Sequence, residues 1–227
     1  MRDRNNSDLY CLDYNITGEI LATAGKDYAV RLYDDETKEQ IIEMKSGGDQ
    51  LPTHSNRVFS IKFTEDPNVL ISGGWDNTII IWDIRTSSSV GLIFGPHICG
   101  DSLDCRKDQI LSGSYRPNNC IEIFSLKERK KMDSIPWNGK KDEEDELAFL
   151  YGAMFERKSG KYIFAAGAGH NEGHLFDGKE DHELLSKINK RERAFTGIDM
   201  SYIRNEIATC SGDGMIRVYK VSPIKNK

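Results

Sequence analysis

The sequence predicts an all-β fold built from five copies of one four-stranded sheet. A hairpin pattern returns at fixed spacing, and shorter alternating apolar stretches lie before and after each hairpin. No segment keeps the 3.6-residue apolar period of a capped helix, so we expect almost no helix. A lone four-stranded sheet cannot bury both faces, which predicts that the copies pack around an axis as the blades of a β-propeller.

The repeat is clearest in a hairpin that passes a hydroxyl residue, turns at an Asp and ends on an aromatic residue. In the second copy these residues are Ser72, Asp76 and Trp82, with four positions from hydroxyl to Asp and six from Asp to aromatic. Two further copies keep both spacings, the first with Thr23, Asp27 and Tyr33 and the last with Thr209, Asp213 and Tyr219. Three coincidences of residue type and spacing indicate an internal repeat.

Two weaker copies fill the interval between the second and the last. One ends on Phe124 and has about two extra residues in its turn. The other ends on Phe176, with Ala166 and His170 in the places of the hydroxyl and the Asp. The aromatic ends fall at positions 33, 82, 124, 176 and 219, which are 49, 42, 52 and 43 residues apart. This spacing is typical of four-stranded propeller blades.

We expect the propeller to occupy residues 8–222, between a disordered N-terminus at 1–7 and a C-terminal tail at 223–227. The predicted blades span residues 8–45, 53–95, 98–137, 147–189 and 194–222. The fifth blade shows no fourth strand, which makes it the predicted weak point. Three arrangements fit: part of a longer propeller, an open arc, or a ring closed on itself or by another chain. The first two are favoured.

The second copy resembles a repeat of the WD family. Trp82-Asp83 is the dipeptide that gives the family its name, and Thr53-His54 stands in the place of its Gly-His dipeptide. The resemblance covers about residues 8 to 222. It implies a structural tetrad in which His54, Ser72, Asp76 and Trp82 are joined by hydrogen bonds within the second blade.

The first and last copies are expected to hold only partial tetrads. Tyr replaces Trp in both, and no His stands at the matching place before them. The residues expected to form these partial tetrads are Thr23, Asp27 and Tyr33 in the first blade and Thr209, Asp213 and Tyr219 in the fifth.

The resemblance further implies a non-enzymatic scaffold or adaptor that binds proteins or peptides through one face of the propeller. The turns between second and third strands form that face in the family, and Trp75 lies in such a turn, where the core does not require an indole. The predicted protein-binding face comprises Trp75, Lys26, Tyr115, Arg116 and His170. The acidic run at residues 142–146 is a further candidate for docking a basic partner.

Two other functions are weighed against the scaffold. One is a structural component of a large assembly, cytoskeletal or ciliary; the other, more distant, is a hydrolase with its site in the central channel. The tetrad contains the residue types of a hydrolase triad, but inside a blade and with no oxyanion hole evident. His170 and His174 are four apart, yet they lie in a hairpin without the Glu of a zinc protease motif. We therefore predict no catalytic residues, no metal and no cofactor.

Composition bounds the partners. The net charge of −5, from 31 basic and 36 acidic residues, gives no reason to expect nucleic acid. No apolar stretch approaches the roughly 20 residues that span a bilayer, and no signal peptide is visible. The five cysteines are scattered and never spaced as CxxC, so we expect reduced thiols. These observations predict an intracellular, cytoplasmic protein without a membrane or small-molecule partner.

Overall fold

The computed structural model describes residues 7–44, 51–140, 147–179, 181–189 and 191–221. Within these ranges the chain forms 19 strands in five antiparallel sheets and no helix. The prediction of an all-β propeller with five blades is confirmed. Apart from Ser7, the predicted disordered N-terminus and C-terminal tail lie outside the described residues, as does the acidic run at 142–146.

The strands of each blade follow one another in chain order across the sheet. The first blade contains β1 (Leu9–Tyr14), β2 (Ile20–Gly25), β3 (Val30–Asp34) and β4 (Gln40–Met44). The second contains β5 (Val58–Phe63), β6 (Val69–Gly74), β7 (Thr78–Asp83) and β8 (Ser88–Phe94). The third contains β9 (Leu103–Arg106), β10 (Gln109–Gly113), β11 (Ile121–Ser125) and β12 (Lys130–Ile135).

The fourth blade contains β13 (Phe149–Phe155), β14 (Tyr162–Ala168), β15 (Gly173–Asp177) and β16 (Leu184–Ile188). The fifth contains β17 (Phe195–Met200), β18 (Glu206–Ser211) and β19 (Ile216–Lys220). In the part of the chain that is described, the fifth blade therefore has three strands. The first strands of consecutive blades contact one another, which places them around the central axis.

The turns between second and third strands share one backbone conformation. The residue after the position of the tetrad Asp has a positive φ in every blade: 71° at Tyr28, 59° at Asn77, 52° at Asn119, 55° at Asn171 and 78° at Gly214. Asn and Gly tolerate this left-handed region because their side chains crowd the backbone little. Tyr28 is the bulky exception and holds some strain in the turn of the first blade.

The hydrophobic core lies between blades, where the second and third strands of one blade pack against the first strand of the next. Ile71 and Ile79 of the second blade, for example, share a buried cluster with Leu103 of the third. The approach is close: a Cβ added at Gly73 would lie 2.7 Å from the Cδ1 atom of Leu103. At the two ends of the row of blades, Leu12 on β1 and Ile216 on β19 are exposed. The described blades therefore form an arc that is open between the fifth and the first.

Candidate protein-binding face

The tetrad of the second blade is a continuous chain of hydrogen bonds. The Trp82 indole N–H donates to the Ser72 hydroxyl over 2.7 Å. The His54 Nε2 atom lies 2.7 Å from the same hydroxyl, and its Nδ1 atom lies 2.7 Å from the Asp76 carboxylate. The structure thus brings together all four side chains that the sequence singled out. The indole is only a donor, so the hydroxyl must accept from it and can link it to the imidazole.

Asp76 also fastens the turn that leads to the third strand. Its carboxylate accepts the Ser55 backbone N–H over 3.0 Å and the Thr78 hydroxyl over 2.8 Å. Burial alone would raise the pKa of Asp76, but the hydrogen bonds and charge of His54, with those from Thr78 and Ser55, hold it below its ordinary value. The ionised Asp76 therefore fixes the conformation of the turn, and Trp75 is its neighbour in that turn.

The partial tetrads of the first and fifth blades are organised by arginine. Arg31 on β3 forms an ion pair with Asp27, and its Nε atom lies 3.0 Å from the Glu43 carboxylate. Arg217 on β19 repeats the arrangement with Asp213 at 2.8 Å. These arginines were not predicted from the sequence. The signal was present, because in both blades an Arg stands four residues after the Asp.

The hydroxyls predicted for these partial tetrads do not take part in them. Thr23 Oγ1 and Thr209 Oγ1 are buried and have no hydrogen-bond partner among the described residues. In the fifth blade Ser211 donates to Asp213 over 2.6 Å instead, and the Tyr219 hydroxyl accepts from Arg191 over 2.7 Å. The prediction that Thr209, Asp213 and Tyr219 form one group is therefore wrong in its partners. Because the Arg donates directly to the Asp, the Thr hydroxyl is not needed to connect the Asp to another side chain.

In the fourth blade a buried histidine stands at the position that arginine occupies in the first and fifth blades. His174 stacks on Trp137 with ring centroids 3.7 Å apart, and its Nε2 atom lies 3.0 Å from the Glu172 carboxylate. Burial lowers the pKa of His174, so the ring is neutral near pH 7. The hairpin is one residue longer than the spacing suggested, because Ala165 and not Ala166 lies opposite His174. No group of metal-ligating side chains is found in the described residues.

A strip of aromatic rings crosses the face beside the tetrad. Tyr10 stacks on Phe59 at 4.9 Å between centroids, Phe59 contacts Trp75 at 5.0 Å, and Trp75 stacks on His97 at 6.2 Å. We call Tyr10, Phe59, Trp75 and His97 the aromatic strip. Tyr10 and Phe59 lie near the starts of the first strands of the first and second blades, and His97 lies in the loop between the second and third blades. Burial and the charge of Arg116 lower the pKa of His97, which favours a neutral ring.

Trp75 is held in place while about a third of it stays open to solvent. Its indole N–H donates to the Cys99 sulfur over 3.0 Å, and the Arg57 guanidinium carbon lies 5.1 Å from its ring centroid. The residue is 36% exposed. Trp75 is therefore both packed against the loop before the third blade and available on the surface. A partly exposed aromatic ring with a fixed orientation loses little entropy on binding.

The other residues of the predicted face have mixed roles. Tyr115 packs against Phe149 and Tyr151 at 5.0 and 5.2 Å, and its backbone N–H bonds to the His97 carbonyl, which connects it to the aromatic strip. Arg116 binds the buried Glu122 carboxylate at 2.9 Å, and Lys26 pairs with Asp8 at 3.1 Å.

The remaining member of the predicted face is His170, which is half-buried in the turn of the fourth blade. Tyr10, Phe59 and Arg57 were missed by the sequence argument. They lie at the starts of first strands and before them, outside the turns between second and third strands from which the face was predicted.

Charged side chains converge around the axis, and this cluster was not predicted from the sequence. A cavity of about 280 Å³ is lined by Lys62, Asp101, Asp104, Arg157 and Asp199, and no histidine lines it. Lys62 bonds to Asp101 at 3.0 Å, and Arg157 lies 3.7 Å from both Asp104 and Asp199. Burial raises the pKa of Asp104, and Arg157 opposes that rise. The pairing of each carboxylate with a cation indicates a structural role.

The described residues contain no helix that is long and apolar enough to cross a membrane. A sequence model described as "WD domain, G-beta repeat" matches residues 3–34 and 48–83. A U3 small nucleolar RNA-associated protein 15 homolog of Xenopus tropicalis is 24% identical over 220 residues, 95% of this chain and 38% of that protein. A WD repeat-containing protein 1 of Xenopus tropicalis is 31% identical over 214 residues, 91% of this chain and 32% of that protein.

The chain spans about a third of the length of these curated relatives. Among solved structures, the computationally designed Ika8 protein matches with a TM-score of 0.72 and 17% identity, over 97% of this chain and 60% of that one. At that identity the likeness concerns the fold alone. The returning hairpin, the tetrad of the second blade and the matching relatives agree, and the chain belongs to the WD-repeat family.

Proposed function

We propose that this protein is a non-enzymatic scaffold that binds a partner protein or peptide on the aromatic strip. The observation that supports this proposal most is Trp75, which is fixed by Cys99 and Arg57 and yet remains 36% exposed. Tryptophan, tyrosine and arginine are the residues that most often dominate binding energy at interfaces. Here they occur side by side on a face built from rigid turns.

The chemistry of the strip favours a partner segment that carries apolar and acidic groups. The rings of Tyr10, Phe59 and Trp75 offer apolar planes that can bury aliphatic or aromatic side chains. The Arg57 guanidinium beside Trp75 offers a cation that can donate to a carboxylate in two parallel bonds. Both groups are in place before binding, so a partner would not have to order them.

The test is a pull-down with mass spectrometry, followed by calorimetry on the partner segment that is identified. Trp75→Ala should weaken binding about 30-fold, which corresponds to about 2 kcal/mol. Tyr202→Ala is the matched control, because Tyr202 is an exposed aromatic residue in the turn between β17 and β18 of the fifth blade. Equal affinity of the Trp75 variant and the parent would disprove the assignment of this face.

A role inside a large assembly is the second candidate, as a structural component attached through protein contacts. It is favoured by the similarity over 95% of the chain to a relative whose name describes it as associated with a small nucleolar RNA. The net charge of −5 and the carboxylates around the axis argue for attachment to protein and not to RNA. Ribonuclease treatment during the pull-down should therefore leave the bound proteins in place. Their loss would indicate contact through RNA and an intracellular site in an RNA particle.

A further inference from the structure

The two ends of each sheet lie on opposite faces of the propeller. First strands begin beside the aromatic strip and run to the other face, so the turns that follow first and third strands lie on that other face. Three neighbouring turns of the third and fourth blades there are rich in cations: residues 106–108, 126–129 and 156–161. Both blades have a neighbour on each side, so these turns lie away from the ends of the described chain.

Charge is segregated between the blades on this face. The three turns carry seven cations and three carboxylates. The turns of the first and second blades on the same face carry two cations and eight carboxylates: residues 15–19, 34–39, 64–68 and 83–87. Both of those cations are paired, Lys38 with Asp35 at 2.7 Å and Arg85 with Asp83 at 2.6 Å. The chain has a net charge of −5, so the three cation-rich turns are a local exception.

The carboxylates of the three turns are engaged by other groups. Asp108 accepts the Lys127 backbone N–H over 2.9 Å, and Glu156 accepts that of Ser159 over 2.7 Å. Glu128 pairs with a lysine that lies outside the turns. These carboxylates therefore stabilise the backbone of the turns and leave the neighbouring cations without an acidic partner.

Six cations of the same turns form no ion pair within the described part of the chain. We call them the basic surface: Arg106, Lys107, Lys127, Arg129, Lys158 and Lys161. The seventh, Arg157, belongs to the charged groups around the axis. The Leu126 backbone N–H donates to the Asp108 carbonyl over 2.7 Å, which joins the first two turns.

Arg106 joins the first turn to the third. Its side chain packs directly against Gly160 of the next blade, where an added Cβ would lie 2.7 Å from its Nε atom. Arg106 and Lys158 line one cavity of about 420 Å³ on this face. Three carboxylates line it too, and each accepts a backbone N–H: Glu65, Asp104 and Glu156. The guanidinium of Arg106 is thus positioned beside a cavity without a carboxylate partner of its own.

Arg129 is positioned against a glycine in the same way. A Cβ added at Gly91 on β8 would lie 2.7 Å from the Nε atom of Arg129 and 3.0 Å from its Cζ atom. The third blade therefore extends one arginine over the fourth blade and one over the second. A guanidinium can donate two parallel hydrogen bonds to a carboxylate, and one that is already positioned loses little entropy on binding.

We propose that the basic surface binds a segment of a partner protein that carries several Asp or Glu side chains. The segment is complementary in charge to the six cations, and Arg106 is its main anchor. The site lies on the face opposite the aromatic strip, so the protein could hold one partner on each face. The proposal does not depend on what the aromatic strip binds.

The composition of the turns favours an acidic protein segment over RNA. None of the three turns contains an aromatic residue, so the basic surface offers no ring on which a base could stack. The carboxylates of Asp108, Glu128 and Glu156 are interleaved with the cations, which suits separate negative charges better than a continuous phosphate backbone.

Fluorescence anisotropy tests the proposal with the whole chain and a dye-labelled peptide of alternating Glu and Ser, about 12 residues long. At about 50 mM salt the parent should bind it with a Kd below roughly 100 µM. Arg106→Gln and Lys158→Gln should each weaken binding about threefold, and together about tenfold. Arg57→Gln is the matched control, because Arg57 also has no ion pair among the described residues but lies beside Trp75. Its affinity for the peptide should equal that of the parent.

Four results would overturn the proposal. They are a parent that does not bind the peptide, an unchanged affinity of the double variant, equal binding of a peptide with Gln in place of Glu, and a greater loss in Arg57→Gln than in the double variant. The last would place the acidic peptide on the aromatic strip. Tighter binding of a single-stranded oligouridine at the same residues would equally overturn it in favour of RNA. Melting midpoints verify folding, and Lys158→Gln keeps the test decisive if Arg106→Gln loosens its turn, because Lys158 is exposed.

Discussion

The second blade lies between two other blades, whereas the fifth has one neighbour within the described chain. Their hairpins share the same spacing from Asp to aromatic residue, Asp76 to Trp82 and Asp213 to Tyr219. Around Asp76 the structure assembles a buried tetrad, and around Asp213 it assembles an ion pair with Arg217 at the open end of the arc. The hairpin sequence specifies the turn locally, and a neighbouring blade adds burial around it.

The difference shows that the repeat preserves the conformation of the turn more strictly than the identity of the side chains that donate hydrogen bonds to its Asp. Both hairpins place the residue after the Asp in the left-handed region, at 59° for Asn77 and 78° for Gly214. His54 completes the group in one blade, and Arg217 completes it in the other. A buried or half-buried carboxylate must find donors, but several side chains can supply them.

The largest expected effect is on the aromatic residue that ends each hairpin. Trp82→Ala should lower the free energy of unfolding by about 3–5 kcal/mol, because Trp82 is buried and its loss opens a cavity. Tyr219→Ala should cost less, since Tyr219 is half-buried and its hydroxyl bonds to Arg191. Urea unfolding of both variants measures the difference. Equal losses would mean that the fifth blade is as tightly packed as the second.

Removing the Asp should have the next largest effect. Asp76→Ala leaves His54, Thr78 and the Ser55 N–H without their acceptor, which should cost about 1–3 kcal/mol. Asp213→Ala should shift the unfolding midpoint less, because water reaches the open end of the arc and can replace the carboxylate. An unchanged midpoint for Asp76→Ala would contradict the structural role of the tetrad.

Hydrogen exchange should distinguish the two regions without any substitution. Residues 207–221 should exchange at least about tenfold faster than residues 57–82, which corresponds to about 1.4 kcal/mol of opening free energy. The reason is that β19 has a paired strand on one side only, while β6 and β7 lie inside a four-stranded sheet. Equal protection would show that the edge of the fifth blade is covered in solution.

Acid should produce the smallest of these effects. The pKa of Asp76 is lowered in the folded protein, so the unfolded chain takes up the proton first as the pH falls. The stabilisation is therefore complete above the ordinary Asp pKa of about 3.9 and is lost as the pH falls through the lowered value. The melting midpoint of the parent should fall more steeply from about pH 5 to pH 3 than that of Asp76→Asn. Parallel curves would refute this coupling.

The fifth blade offers a matched measurement of the same kind. The hydrogen bonds from Arg217 lower the pKa of Asp213. Because this pair is partly exposed, about 0.5 M salt should weaken its contribution to acid stability more than that of the tetrad. Melting curves of Asp213→Asn in low and high salt measure the contribution. A salt effect confined to Asp76→Asn would reverse the assignment of exposed and buried carboxylates.

Much of the architecture was predictable because the same local sequence pattern occurs several times along the chain. The hydroxyl-to-Asp and Asp-to-aromatic spacings predicted three hairpins, and weaker copies of the pattern predicted the other two. The His before the second blade predicted which tetrad would be complete. The error at Ala166 arose because the hairpin of the fourth blade is one residue longer than those of the first, second and fifth blades. A spacing counted from the aromatic end cannot reveal an insertion in the turn.

By itself, the sequence determined the strands, the turns and the four side chains of the tetrad, because hairpin hydrogen bonds and side-chain alternation act over short distances in the chain. Only the tertiary structure decided which residues meet across blades. The aromatic strip joins Tyr10, Phe59, Trp75 and His97 from two blades and the loop that follows them. The charged groups around the axis come from first strands and the segments beside them, which are far apart in sequence. Exposure was decided there too: Ile79 and Ile216 occupy the same position in their hairpins, and only the presence of a following blade removes one of them from water.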